Sequence, residues 1–301
     1  MNAGDYRISA AGYSAALTPN GAAVRMLTRD GRDLIVPFAL DEPMPDYRGA
    51  IIAPWPNRIP DGRYVFGGAE LTVPINEPSR LAALHGLVSH IPWTVLYHDG
   101  SSLGLRHRLR PRRGYPFELL LDVSYVVDES GFHTTVTATN TGERPAPYGT
   151  CPHPYLVAGP SPLDTWSLEL DAGSFLDVTP DRLIPLQRTS VEGTQFDYRR
   201  CRQLGGTAID HAFTDLRTAR GEDQVRLLLR DPRGTGVAMT WGEACPWVQL
   251  HTADHEIPER HRIGLAAEPM TCPPNAFNSG EDLVALLPGT THNASWTIHA
   301  L

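Results

Sequence analysis

The sequence predicts an all-β protein, a large antiparallel β-sandwich with long loops, and three observations carry that prediction. Proline and glycine number 27 each among 301 residues and are spread throughout, which breaks helices and supplies turns. Short runs rich in Val, Leu, Thr, Tyr and Trp recur between those turns, several alternating with the period of two that a half-buried strand requires. No long stretch carries a helical period, and no linker, repeat or low-complexity segment divides the chain. One domain over residues 1–301 is therefore expected, and 41% hydrophobic composition is enough for a sizeable core.

The elements follow in order. Arg63-Tyr64-Val65-Phe66 is a short strand before the Gly67-Gly68 turn. In the next, Leu103, Leu105, His107 and Leu109 fall on one face and Arg106, Arg108 and Arg110 on the other, so the basic run reads as a solvated face. Residues 119 to 140 read as a hairpin turning at Asp128-Glu129-Ser130-Gly131. Further strands are expected at Ser167–Leu170, Val225–Leu229, Val237–Trp241, Trp247–His251 and Ser295–Ile298. The apolar stretch Ile263-Gly264-Leu265-Ala266-Ala267 reads as a buried strand closed by Glu268, with Pro269, Pro273 and Pro274 fixing the turn behind it.

Charge and composition exclude several function classes. A net charge of −8 argues against a nucleic-acid partner. All 26 basic residues are arginine, which removes lysine Schiff bases, pyridoxal phosphate linkage and P-loop chemistry. Cys151, Cys201, Cys245 and Cys272 lie far apart without a C-x-x-C pair, so neither a zinc ribbon nor a disulfide framework is suggested. The amino end, Met1 to Arg7, lacks a signal pattern, and no segment is apolar for long enough to cross a bilayer; a cytoplasmic protein with no membrane partner is the expectation.

A carboxylate at the end of a buried strand loses hydration and gains a fixed direction, which is what a general base needs, and this singles out Glu268. Four other stretches set a polar side chain among Pro, Gly and apolar residues: Pro54-Trp55-Pro56-Asn57-Arg58-Ile59, Ala83-Leu84-His85-Gly86, Cys151-Pro152-His153-Pro154-Tyr155-Leu156 and Ile209-Asp210-His211-Ala212-Phe213. Poorly solvated groups of this kind must find partners or shift their pKa. Together they supply one base, two imidazoles, one guanidinium and one acceptor, an inventory suited to moving protons on a polyhydroxylated ligand.

Taken in order, Asn57-Arg58, Leu84-His85-Gly86, His153-Pro154-Tyr155, Asp210, Gln249 and Glu268 resemble the motif series of the aldose 1-epimerase (galactose mutarotase) family, over nearly the whole chain. The resemblance implies the family's β-supersandwich and the interconversion of sugar anomers. It makes Glu268 the general base and His153 the general acid, with Asn57, Arg58, His85, Tyr155, Asp210 and Gln249 holding a small-molecule sugar, and no metal or other cofactor. In that reaction Glu268 takes the C1 hydroxyl proton while His153 gives one to the ring oxygen; the ring opens, turns about C1–C2 and recloses on the other face. Charge on the two oxygens must change together, so an acid and a base are needed astride one carbon, with Glu268 ionised and His153 protonated. Leu87 after Gly86, and Pro152 and Pro154 around His153, depart from the commoner pattern and look more like a bacterial branch whose sugars extend to sulfonated hexoses.

Other readings stay open at this point. His251, His255 and His261, with Glu256 and Glu259 nearby, could gather a metal, although the intervening residues suit a polar loop. Asp210 with Glu268 could form a glycosidase pair, and a sugar-binding protein could keep the pocket without catalysis. Trp247, two residues before Gln249, is the candidate for an aromatic platform under the sugar, with burial in the core as its alternative.

Overall fold

The structure is a computed structural model that describes residues 4–218, 221 and 223–301. Met1, Asn2 and Ala3, part of the amino end read above, lie outside the described residues. About 49% of the chain is strand and 5% helix, so the all-β expectation holds.

Two antiparallel sheets dominate. The larger has nine strands in the order Thr94–His98, Ser102–Leu109, Leu119–Asp128, Gly131–Asn140, Thr291–Ala300, Gly236–Trp241, Val225–Arg230, Ser167–Leu170, Arg202–Gln203. The hairpin is present with the expected turn, Asp128 facing Gly131. Leu103, Leu105 and Leu109 are buried, while Arg106 and Arg108 reach across to Asp122 and Glu118 on the neighbouring strand and its approach. The basic run is thus a paired outer face, as its period requires.

The smaller sheet has six strands in the order Tyr155–Leu156, Leu265–Met270, Trp247–His251, Asp210–Leu216, Ala172–Val178, Pro185–Ser190. Its inward residues, among them Val248, Leu250, Phe213, Leu265 and Ala267, share one apolar cluster with the large sheet's Leu121, Val123, Leu227 and Met239. Successive side chains on a strand point to opposite faces. The alternate residues, Gln249, His251, Ala266 and Glu268, are therefore turned away from that cluster.

One expectation needs correction. Glu268 does not close its strand: the strand runs Leu265–Met270, with Glu268 and Pro269 inside it. Proline is tolerated because the outer neighbour, Tyr155–Leu156, pairs only with Ala266 and Leu265, so Pro269 lies beyond that ladder. The only α-helix among the described residues, Ala276–Ser279, buries Phe277 against Trp55 and Tyr64.

Candidate active site

Strand register assembles the site. Gln249 faces Glu268 directly across one pair of strands, and Asp210 faces His251 across the next. Tyr155 faces Ala266 on the other side of the Glu268 strand. Period-two alternation then puts Tyr155, Ala266, His251 and Asp210 in one row, with Glu268 and Gln249 in the row beside it, all on the same face. Residues more than a hundred apart in sequence become neighbours this way.

The remaining groups come from short ribbons laid over that face. Arg58–Pro60 pairs with Ala82–Leu84, Arg58 opposite Leu84, and the His85 N–H bonds the Asn57 carbonyl at 2.9 Å. Asn57 and His85 are both left-handed, with φ of 54° and 57°. Gly86 continues the bend at φ 66°, where a Cβ would lie 2.1 Å from the Ala53 carbonyl oxygen, so glycine is required there. His153 sits between the two-residue strands Cys151–Pro152 and Tyr155–Leu156, its carbonyl accepting from Gly49 N–H at 2.8 Å.

These elements enclose a cavity of about 240 Å³. Asn57, Arg58, His85, His153, Tyr155, Asp210, Gln249 and Glu268, all eight residues singled out in the sequence, line it. His153 Nε2 lies 3.3 Å from Glu268 Oε1, and both side chains are almost fully buried. The other carboxylate oxygen, Oε2, receives the Cys151 thiol at 3.8 Å. Gln249 Nε2 donates to Asp210 Oδ1 at 2.6 Å, while its buried Oε1 has no protein partner. The His85 and His153 rings meet edge to face, 4.9 Å between centroids.

Burial sets the protonation of this floor. It lowers the His153 imidazole to about 3, with His251 adding repulsion, and raises the Glu268 carboxyl well above the usual range, with Asp210 adding to the rise. His85 is likewise held well below its ordinary range by burial and then by His153. The sequence suggested an imidazolium beside a carboxylate; burial works against that pairing in both groups and favours a protonated Glu268 beside a neutral His153. Either way the pair holds one proton.

Several pocket residues were not singled out as sugar-binding in the sequence. Tyr47 packs its ring at 4.7 Å from His85 and 6.1 Å from His153. Arg48 is buried against Tyr155 with its Nε unpartnered, and Arg260 lies 3.8 Å from Asp46, which Arg48 also approaches at 3.8 Å. Pro43 and Pro45 before Asp46-Tyr47-Arg48 were the available signal, a charged and aromatic group held by prolines, as in the segments that were recognised. Trp247 belongs to the core: it is fully buried, bonds Asp282 through Nε1 at 2.7 Å and does not line the cavity.

The three histidines His251, His255 and His261 do not converge. His255 Nδ1 accepts from Ile257 N–H at 3.0 Å and His261 Nδ1 bonds the His255 carbonyl at 2.9 Å, so the loop folds on itself; His251 turns into the cavity beside Asp210. Among the described residues the group that could hold a metal ion is His85, His153 and Glu268, whose ligand atoms lie within 4.8 Å of one another. No helix among the described residues is long and apolar enough to cross a membrane.

Comparison with known proteins agrees in extent. The aldose 1-epimerase family profile matches residues 5–299. The chain is 32% identical to the Escherichia coli protein YihR over 293 residues, 97% of this chain and 92% of that one. It is 27% identical to bovine galactose mutarotase over 252 residues, 77% and 71% of the two chains. The crystal structure of a GalM/aldose epimerase homologue from Caenorhabditis elegans superposes with a TM-score of 0.86 at 22% identity, covering 99% of both chains. With a profile match spanning nearly every residue and a relative above 30% identity along its length, the chain belongs to the aldose 1-epimerase family.

Proposed function

We propose that the protein is a mutarotase that interconverts the α and β anomers of a free aldohexose. The observation that carries this reading is the 3.3 Å approach of His153 Nε2 to Glu268 Oε1 within one small cavity. The hydroxyl and ring oxygens of a hemiacetal are attached to the same carbon, so an adjacent donor and acceptor can each face one of them. The cavity, below the roughly 300–1,000 Å³ of sites for drug-sized ligands, suits a single sugar ring.

The singly protonated pair is the working form. Passing the shared proton from Glu268 to His153 leaves a carboxylate to take the O1 proton and an imidazolium to protonate the ring oxygen. On closure the roles reverse, and the pair regains its starting state for either direction. Asp210 and Gln249, already hydrogen-bonded to each other, present an acceptor and an amide to sugar hydroxyls, and His85 and Arg58 supply further polar contacts from the opposite ribbon. Any water excluded by the sugar strengthens these interactions.

A second reading concerns the sugar. Arg48 and Arg260 add two guanidinium groups to the lining beside Arg58, which favours a hexose bearing a sulfonate or phosphate. Polarimetry on freshly dissolved α-glucose, α-galactose, a 6-sulfonated and a 6-phosphorylated hexose tests both readings. Catalysed approach to anomeric equilibrium is expected, and a preference for the anionic sugars selects the second. Release of reducing sugar from a glycoside, without anomer exchange, would instead mean hydrolysis by Asp210 and Glu268, and neither activity would mean a binding protein.

A further inference from the structure

Arg58 is held in an unusual way for a residue facing a ligand cavity. Its side chain is 11% exposed, and two of its three nitrogens are already committed: Nε donates to Glu77 Oε2 at 2.7 Å and Nη2 to Glu77 Oε1 at 2.8 Å. This is the parallel two-bond grip of a carboxylate on a guanidinium, which fixes the plane as well as the position of the group. The second Nη2 hydrogen and both hydrogens of Nη1 lie outside that grip, and Nη1 donates to Asn57 Oδ1 at 3.5 Å.

Glu77 does not line the cavity. Its main chain is tied to the ribbon that carries Arg58 and His85: Glu77 N–H bonds the Ala82 carbonyl at 3.1 Å and Ala82 N–H returns to the Glu77 carbonyl at 3.2 Å. Ala82 opens the strand that pairs with Arg58–Pro60. Arg80 Nε, 3.4 Å from Glu77 Oε1, holds the carboxylate from a second side. Carrier and restraint are thus parts of one small rigid unit.

The reason for a restraint lies across the cavity. Arg58 sits within the field of Asp210 and Glu268. In a partly desolvated pocket a free guanidinium would be drawn onto one of those carboxylates. Either pairing would damage the site, by occupying the acceptor for sugar hydroxyls or by neutralising the base. We propose that Glu77 is a positioning residue: it holds the Arg58 guanidinium back from Asp210 and Glu268 and leaves the N–H groups outside its grip for the sugar. This rests on the reading of the cavity as a sugar site.

Two measurements on the full chain test it. In protein labelled with ¹⁵N-arginine, the Arg58 Nε–H signal, assigned by its loss in Arg58→Ala, is expected to exchange slowly with solvent in the wild type and at least about tenfold faster in Glu77→Ala. This readout needs no sugar and no activity, so it stands even if the function is other than proposed. In the anomer-exchange assay Glu77→Ala is expected to lower kcat/KM by about 10–100-fold, mostly through KM. The same change made in the Arg58→Ala background is expected to alter kcat/KM by less than about twofold, because Glu77 acts only through Arg58. Equal losses in both backgrounds, or wild-type Nε–H exchange in Glu77→Ala, would overturn the proposal. Should Glu77→Ala fail to fold, Glu77→Gln keeps the shape with weaker, uncharged acceptors and is expected to move both readouts in the same direction by a smaller factor; wild-type values of both in that variant would likewise sink it.

Discussion

Glu268 owes its behaviour to burial and to neighbours that act in opposite directions. Burial and Asp210 raise its carboxyl, the Cys151 thiol lowers it, and His153 at 3.3 Å shares its proton. Glu268→Ala and His153→Ala are each expected to lower kcat by about 10²–10⁴ while far-ultraviolet circular dichroism stays unchanged; wild-type turnover in both would remove their assigned roles. The pH profile follows from the same contacts. A second proton enters only near the lowered His153 value of about 3, so kcat/KM is expected to stay level as pH falls through 6.5, where an ordinary histidine would titrate. An acid limb centred near 6.5 would contradict the resting state described above. On the alkaline side the pair loses its proton, and Cys151→Ala, by removing the thiol that donates to Oε2, is expected to move that limb upward, with Cys151→Ser restoring it.

Among elements, the ribbon pairing Arg58–Pro60 with Ala82–Leu84 has little room for change at its turn. It turns out of its strands through left-handed Asn57, His85 and Gly86, and the Gly86 backbone lies against Ala53. Gly86→Ala is expected to cost about 2 kcal/mol or more, read as a lower urea midpoint, and to raise KM as His85 moves away. An unchanged midpoint would mean that the ribbon can shift to admit the methyl group. Most elements were legible in the sequence, since turn residues and a period of two are local signals: the 119–140 hairpin and the Trp247–His251 strand formed where expected. The Glu268 strand extends two residues past its expected end at Glu268, placed there because Pro269 signals a stop. It continues because its outer neighbour pairs only at its start, a fact belonging to two strands and not to one.

At the scale of the whole molecule, a sheet with one face in the core and the other in a polar cavity trades stability for function. Glu268 shows the sign. Between the usual carboxylate range and its raised value, the unfolded chain has released this proton while the folded chain keeps it, so this group's contribution to stability falls as pH rises. Glu268→Gln, which carries no such proton, is expected to melt about 2–4 °C above the wild type at pH 8, with the gap closing toward pH 4. A gap that widens on acidification would mean that the carboxylate is stabilised by the fold. His153 and His85 have the opposite sign, losing stability as pH falls below the ordinary histidine range.

The sequence alone determined the class of fold, through proline, glycine and alternation; polar groups among prolines, glycines and apolar neighbours pointed locally to Arg58, His85, His153, Asp210 and Glu268, and the family resemblance added Asn57, Tyr155 and Gln249, all of which line one cavity. Tertiary structure decided what those residues do to one another. Register brought Gln249 opposite Glu268, burial raised the Glu268 carboxyl and lowered the His153 imidazole, and the turn that carries Glu77 set its carboxylate on the Arg58 guanidinium. Distance and desolvation act through space between segments far apart in the chain, and a one-dimensional pattern contains neither.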